Sequence, residues 1–181
     1  LSDPRVIDLP RWLWLPLLYL VIVPLRSRRS AAAYKEIWMK EGSPLLVLTL
    51  RLSARLAERL RAKSVVVTGM RYGKPSIAAA LKELHSQGIQ RLIVLPLYPQ
   101  YSATTTASIF DAVDVALQDL NWLPQQVRID DYYQHSPWIA AVAASIIEYR
   151  HNHGKAGKLL FSLHGIPQRY VQNGDPYAQQ C

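Results

Sequence analysis

His164 ends the apolar run 159–163 and is followed at once by Gly165, Ile166 and Pro167. A neutral imidazole can ligate a metal or accept a proton near physiological pH, and it can equally sit at a strand end bonded to a backbone carbonyl. With Ser162 before it, Gly165 permitting a sharp turn and Pro167 stiffening the exit, the arrangement favours a ring held at a rim. No second histidine stands at helical spacing from it, and neither HExxH nor CxxC occurs, so a closed zinc site is not expected. A second group is Tyr98 and Tyr101, which lead into hydroxyls at Ser102, Thr104, Thr105 and Thr106. These open a predicted helix whose free amides favour an anion, with capping accounting for Ser102. Arg71 and Tyr72 supply a cation and a ring in a third loop. Asp130 and Asp131 are adjacent, so on a strand they face opposite ways, which suits a structural role. No Ser-His-Asp set and no glycine loop able to cradle phosphate can be assembled.

Four short apolar runs must position these groups: "SVVVTGM", "RLIVLPLY", "QVRIDDYY" and "KLLFSLHG". They alternate with helical patterns. Ser30 caps a short helix to about Lys40. Ser43 and Pro44 open another, running to about Lys63, with Leu45, Leu48, Leu52, Leu56 and Leu60 as its buried stripe and the arginines outside it. A helix entered at Pro75 stops near Gly88. Ser102 begins one whose Ile109, Val113, Leu117 and Leu120 face inward, and Ser136 and Pro137 begin the last. Strands alternating with helices, without tight hairpins, predict an α/β fold with a parallel sheet covered on both faces. In such sheets ligands sit beyond the carboxyl ends of the strands, which puts the loops bearing Arg71, Tyr98 and His164 at one edge.

The chain has 181 residues, half of them hydrophobic, enough for one α/β domain. Because it opens on Leu1 without a methionine, it reads as a fragment. The net charge of +8 is compatible with nucleic acid, an anionic surface or an acidic small molecule. The basic residues gather at Arg26, Arg28 and Arg29 and at Arg51, Arg55, Arg59 and Arg61, without interleaved aromatics, which disfavours a nucleic-acid groove. A single cysteine, Cys181, excludes an internal disulfide framework and points to a reducing compartment. The apolar opening, residues 12–25, is short for a spanning helix and is interrupted by Pro16 and Pro24, so it is not expected to cross a bilayer. Trp12, Trp14 and Tyr19 followed by the arginines suit an interfacial segment or a pocket lip.

Taken together, "LPLYPQYSATTTAS" and "LLFSLHGIPQRYVQNGDPY" closely resemble the ferrochelatase family. "LSDPRVIDLP", "EGSPL" and "RYGKPSI" extend the similarity over essentially the whole chain. The resemblance implies a chelatase-like α/β fold made of two similar Rossmann-like halves around a porphyrin cleft. This chain would be most of the first half, without the family's opening strand and second half. Residues 1–29 would then be a cleft lip, membrane-proximal but part of the same domain, and 30–181 an incomplete N-terminal chelatase domain. The implied reaction is insertion of ferrous iron into protoporphyrin IX to form protohaem, a lyase activity that this fragment alone would lack. His164 matches the family's active-site histidine, assigned either to the metal or to the pyrrole protons, with its carboxylate partner in the other half. Arg26, Tyr34 and Ser43 match positions that contact the porphyrin and its propionates, although the Tyr34–Ser43 spacing is longer than in animal members. Arg71, Tyr72 and Tyr98 match active-site loop positions. Ala103 stands where animal members have a cysteine that helps hold an iron-sulfur cluster, so no such cluster and no tightly bound cofactor is expected. Protoporphyrin IX and ferrous iron would be the partners, in the cytoplasm, with peripheral contact to the inner membrane and none with nucleic acid. A chelatase for another tetrapyrrole, or a non-catalytic tetrapyrrole or metal carrier, is the alternative.

Overall fold

The computed structural model describes residues 2–7, 9–60, 64–154 and 157–181. Helix α1 (Arg11–Leu17) passes through a π-helical turn (Leu18–Ile22) into α2 (Val23–Ile37). The expectation that Pro16 and Pro24 interrupt this segment, and that Ser30 starts a new helix, is therefore corrected. Proline breaks a helix because its ring crowds the carbonyl four residues back and it offers no N–H. Here the winding widens to i→i+5 just before Pro24, which then occupies the first turn of α2, where an N–H is not needed. Leu18 is buried, while Trp12, Leu20 and Leu25 are exposed. Among the described residues no helix is long and apolar enough to cross a membrane.

Gly42 adopts φ +130° and exchanges backbone hydrogen bonds with Met39 (3.0 and 3.1 Å), a reversal that a side chain would strain. Helix α3 (Pro44–Leu60) follows, with the Ser43 carbonyl accepting from the Val47 N–H at 2.9 Å. Its leucine stripe runs opposite to expectation: Leu45, Leu48, Leu52, Leu56 and Leu60 are all exposed, and Val47 is buried instead. Ser53 and Ala57 line a cavity of about 330 Å³ together with Val66, Thr68, Ala79 and Ala80. Periodicity identifies an apolar stripe, but not whether a partner covers it; here the small-residue side lies against the fold. The arginines are exposed as expected, Arg51 pairing with Glu41 at 3.0 Å, while Arg61 and Lys63 lie outside the described residues.

Helix α4 (Ile77–Ser86) is capped by Ser76, whose Oγ accepts from the Ala79 N–H at 3.1 Å, so it begins just after Pro75 rather than at it. Ile77, Ala80, Leu81 and Leu84 recur at one face and are buried. Gly69 lies so close that a Cβ there would stand 3.0 Å from Ile77 Cα. Val113 and Leu117 of α5 (Ser108–Asp119) are buried as predicted, with Ile109 and Leu120 half-buried. His85 stacks on the buried Trp122 at 5.3 Å. At about 1.5–3 kcal/mol for each large apolar side chain removed from water, these residues dominate the stability of their region.

The chain divides into two compact units, Leu1–Ile89 with Asp111–Leu123, and Gln90–Phe110 with Pro124–Cys181. The second contains a parallel pair, β1 (Arg91–Val94) and β2 (Gln125–Arg128), in register Arg91↔Gln125 through Val94↔Arg128. The fold is thus helix-rich α/β with a small parallel sheet. Of the four predicted strands, "RLIVLPLY" and "QVRIDDYY" supply this pair. The other two, "SVVVTGM" and "KLLFSLHG", form no ladder among the described residues beyond a single bridge from Met70 to Ser76. β-Branched and apolar composition encodes a surface that suits pairing, not the neighbour that completes it. Leu160, 90% exposed, shows the result. Helices α6 (Ser136–His153), α7 (Gln168–Gln172) and α8 (Tyr177–Gln180) complete the chain, α6 starting at Ser136 and Pro137 as predicted.

Candidate functional site

The second unit buries an unusual set: Ser102, Thr106, Ser108 and Asp175 beside Leu92 and Ala107. Ser102 precedes a π-helical stretch (Ala103–Ala107) that continues into α5. Its hydroxyl is fully used. It donates to Asp175 Oδ2 at 2.8 Å, and accepts from the Thr104 N–H at 3.2 Å and from Thr104 Oγ1 at 3.0 Å. The Ala103 N–H donates to the same carboxylate oxygen at 2.8 Å, and the Tyr177 N–H to Oδ1 at 3.0 Å. The anion expected at this helix start is present, and the chain itself supplies it. Asp175 is 8% exposed, and oriented neutral dipoles surround its carboxylate rather than a cation.

Two further ties fix the same region. The Tyr101 N–H donates to Gln180 Oε1 at 2.7 Å, and Gln180 Nε2 donates to Asp131 at 3.3 Å, which bears out a structural role for that carboxylate. The Tyr132 N–H reaches the Pro99 carbonyl at 2.9 Å. The same unit holds a cavity of about 320 Å³. Tyr98, Gln100, Ser102, Thr104 and Thr105 line one part; His164, Ile166 and Tyr177 line the rest. The volume is at the small end for ligand sites. Burial pushes the Tyr177 phenol above the ordinary 10.0, reinforced by its contact with Cys181. Burial raises the Tyr132 phenol likewise. Hydroxyls, one imidazole and phenol rings can orient a polar or aromatic ligand and move protons.

The structure separates the sequence-predicted residues into groups. Tyr98 and His164 share the cavity of the second unit. Arg71 and Tyr72 form their own cluster in the first: Arg71 Nη2 and the Tyr72 hydroxyl both donate to Asp3 Oδ2, at 2.6 and 2.7 Å. The Arg5 N–H donates to the other oxygen at 2.9 Å, and the Arg71 guanidinium lies 4.8 Å from the Tyr72 ring centroid. Arg71 is therefore half of an ion pair with a carboxylate that is itself buried. Arg26 and Tyr34 stand exposed on α2, eight residues and so about 12 Å apart along its axis, and Ser43 is half-buried ahead of α3. Sequence reasoning missed both Asp3 and Asp175. Each lay inside a quoted motif, "LSDPR" and "NGDPY", but the partners are 68 and 73 residues away. Among the described residues no three His, Cys, Asp or Glu side chains gather as a metal site.

A family model described as Ferrochelatase matches residues 1–181. Relatives carrying the same name are 49% identical in Hydrogenovibrio crunogenus, 48% in Vibrio cholerae and 51% in Hamiltonella defensa, each alignment covering all of this chain. The alignments take in 50%, 56% and 56% of those proteins, so the chain spans about half the length of the curated relatives it matches. A match that spans the segments carrying Asp3, Tyr98, His164 and Asp175 leaves one conclusion: the chain belongs to the ferrochelatase family.

Proposed function

We propose that this chain supplies one side of an active site that inserts ferrous iron into protoporphyrin IX, releasing two pyrrole protons and forming protohaem. The observation that carries the reading is the family match over every residue, together with a cavity that joins His164 to Tyr98. His164 either receives a pyrrole proton or ligates the incoming iron. Tyr98 offers a ring to the flat macrocycle. Arg26, Tyr34 and Ser43 bind the porphyrin and its propionates, and Arg71 with Tyr72 shapes an active-site loop from its clamp on Asp3. A porphyrin far exceeds a cavity of about 320 Å³, so these residues would meet only part of it, and a carboxylate partner for His164 would come from outside this set.

On the same reading the sheet is one half of a Rossmann-like pair with helices on both faces. Residues 1–29 form the cleft lip and 30–181 the N-terminal chelatase domain. The exposed Trp12, Leu20 and Leu25 suit a lip that touches the membrane surface from the cytoplasmic side. Iron is substrate, no tightly bound cofactor is invoked, and Ala103 offers no ligand to an iron-sulfur cluster. Metal-dependent loss of free-porphyrin absorbance, followed in the full-length protein, tests the proposal. His164→Ala should lower turnover by about 100-fold or more, and residues 1–181 alone should show none. Turnover retained by the variant would refute the role of His164.

A further inference from the structure

We infer that the loop carrying Arg71 and Tyr72 meets its ligand through the Tyr72 ring and leaves the ligand's anionic groups to other residues, because Asp3 already holds the Arg71 charge and the Tyr72 proton. That the ligand is a porphyrin rests on the proposed reaction; the division of labour within the loop rests on geometry. The side chain of Asp3 is 3% exposed. Its Oδ2 accepts from Arg71 Nη2 at 2.6 Å and from the Tyr72 hydroxyl at 2.7 Å, and its Oδ1 accepts from the Arg5 N–H at 2.9 Å. Its backbone is held as well, the Asp3 carbonyl accepting from the Val6 and Ile7 N–H groups at 3.1 Å each. Arg5 directs both Nε and Nη2 to the Asp111 carboxylate, which ties this turn to α5. Swinging Arg71 onto an outside carboxylate would break an ion pair with a buried partner, which is strongly unfavourable. Tyr72 is differently placed. Its hydroxyl is bound and the Arg71 guanidinium lies 4.8 Å from its ring centroid, yet the residue is 57% exposed. What it exposes is therefore mostly apolar ring, fixed at its tip and backed by a cation. A ring held in this way stacks on a flat apolar ligand without first losing rotamer freedom.

Porphyrin affinity separates the two side chains, measured by absorbance titration of the full-length protein with protoporphyrin IX and with its dimethyl ester, whose propionates carry no charge. Tyr72→Leu should weaken both alike, by about three- to tenfold, the worth of one aromatic contact. Unchanged affinity for the two would overturn the inference. Asp3→Asn combined with Arg71→Gln removes both charges at nearly constant shape, so no buried carboxylate is left behind. Its acid-to-ester affinity ratio should stay within about twofold of the wild type. A fall beyond that, toward the roughly tenfold or more that a hydrogen bond to a charged group supplies, would make Arg71 a propionate ligand and overturn the inference. Should the double variant not fold, Tyr72→Leu, at an exposed position, and the NMR signals of the Arg71 guanidinium carry the reading. Those signals, assigned by their loss in Arg71→Lys, also separate this inference from the proposed reaction. If the wild type binds neither porphyrin, that reaction fails, but the Arg71 N–H groups should still be protected from exchange and lose protection in Asp3→Asn. Free exchange in the wild type, or protection unchanged in the variant, would overturn the assignment of Arg71 to Asp3.

Discussion

Among the described residues the two units each bury one aspartate, and they keep it by opposite means. In the first, Asp3 meets a full positive charge on Arg71, with the Tyr72 phenol on the same oxygen. In the second, among the described residues, Asp175 meets a serine hydroxyl and two backbone N–H groups and no cation. A guanidinium neutralises a carboxylate and is strongly missed when its partner is removed. Oriented dipoles neutralise it less but impose direction, since each donor must point at one lone pair. The surroundings follow the same division. The first unit's buried side chains are largely aliphatic, from Leu18 and Val47 to Leu84 and Leu117, whereas the second buries three hydroxyl residues. Packing holds the one together; direction is set in the other, which is the one that contains His164.

The contrast can be broken in stability. Asp3→Asn removes the buried carboxylate from its ion pair with Arg71, 29% exposed, and should cost about 2–3 kcal/mol, reduced from a fully buried pair by solvent reaching the guanidinium. Asp175→Asn keeps one acceptor oxygen and loses a hydrogen bond from a neutral donor to the carboxylate, which should cost about 1–2 kcal/mol. Urea denaturation of both variants measures the gap, and equal losses would erase the distinction.

A smaller effect concerns pH. Tyr132 and Tyr177 have phenols raised by burial, so the folded protein prefers them neutral. Their contribution is fully present below the ordinary value of 10.0 and is lost as pH rises through the higher folded values. The urea midpoint should therefore fall between about pH 9 and pH 11, and Tyr132→Phe should flatten part of that fall. A slope unchanged in the variant would exclude Tyr132 as a source.

The smallest effect sharpens the comparison from outside. Arg51 and Glu41 form a pair of the same chemistry as Arg71 and Asp3, but both partners are more than half exposed. Arg51→Ala should move stability by no more than about 0.5 kcal/mol. A larger loss in the same titration would mean that burial is not what separates the two pairs.

Much of this organisation was legible in the residues. Turn chemistry located the starts of α3 and α6, and periodicity found the buried side of α5. The helix start after β1 was expected to favour an anion beside its Ser102 cap, and the carboxylate of Asp175 accepts from Ser102 and the Ala103 N–H there. What escaped depended on distance along the chain. Nothing local to Asp3 foretells Arg71, nor does "NGDPY" foretell Ser102, because a hydrogen bond across about seventy residues leaves no periodic trace. The leucine stripe of α3 and the run 159–163 erred in the other direction. Their composition asks for a partner, and the described residues leave them exposed.

The π-helical turn Leu18–Ile22 has one more consequence. A turn bonded to the fifth residue holds about one residue more than an α turn, and each residue of an α-helix advances about 100° around the axis. The chain from Arg11 to Ile37 has thus taken in the equivalent of a single inserted residue without ceasing to be helical. The insertion is absorbed as a change of phase: the side of α1 that bears Trp12 and the side of α2 that bears Arg26 follow different angular counts. One residue more or fewer at this point would swing the tryptophans around the axis while leaving the arginines where they are.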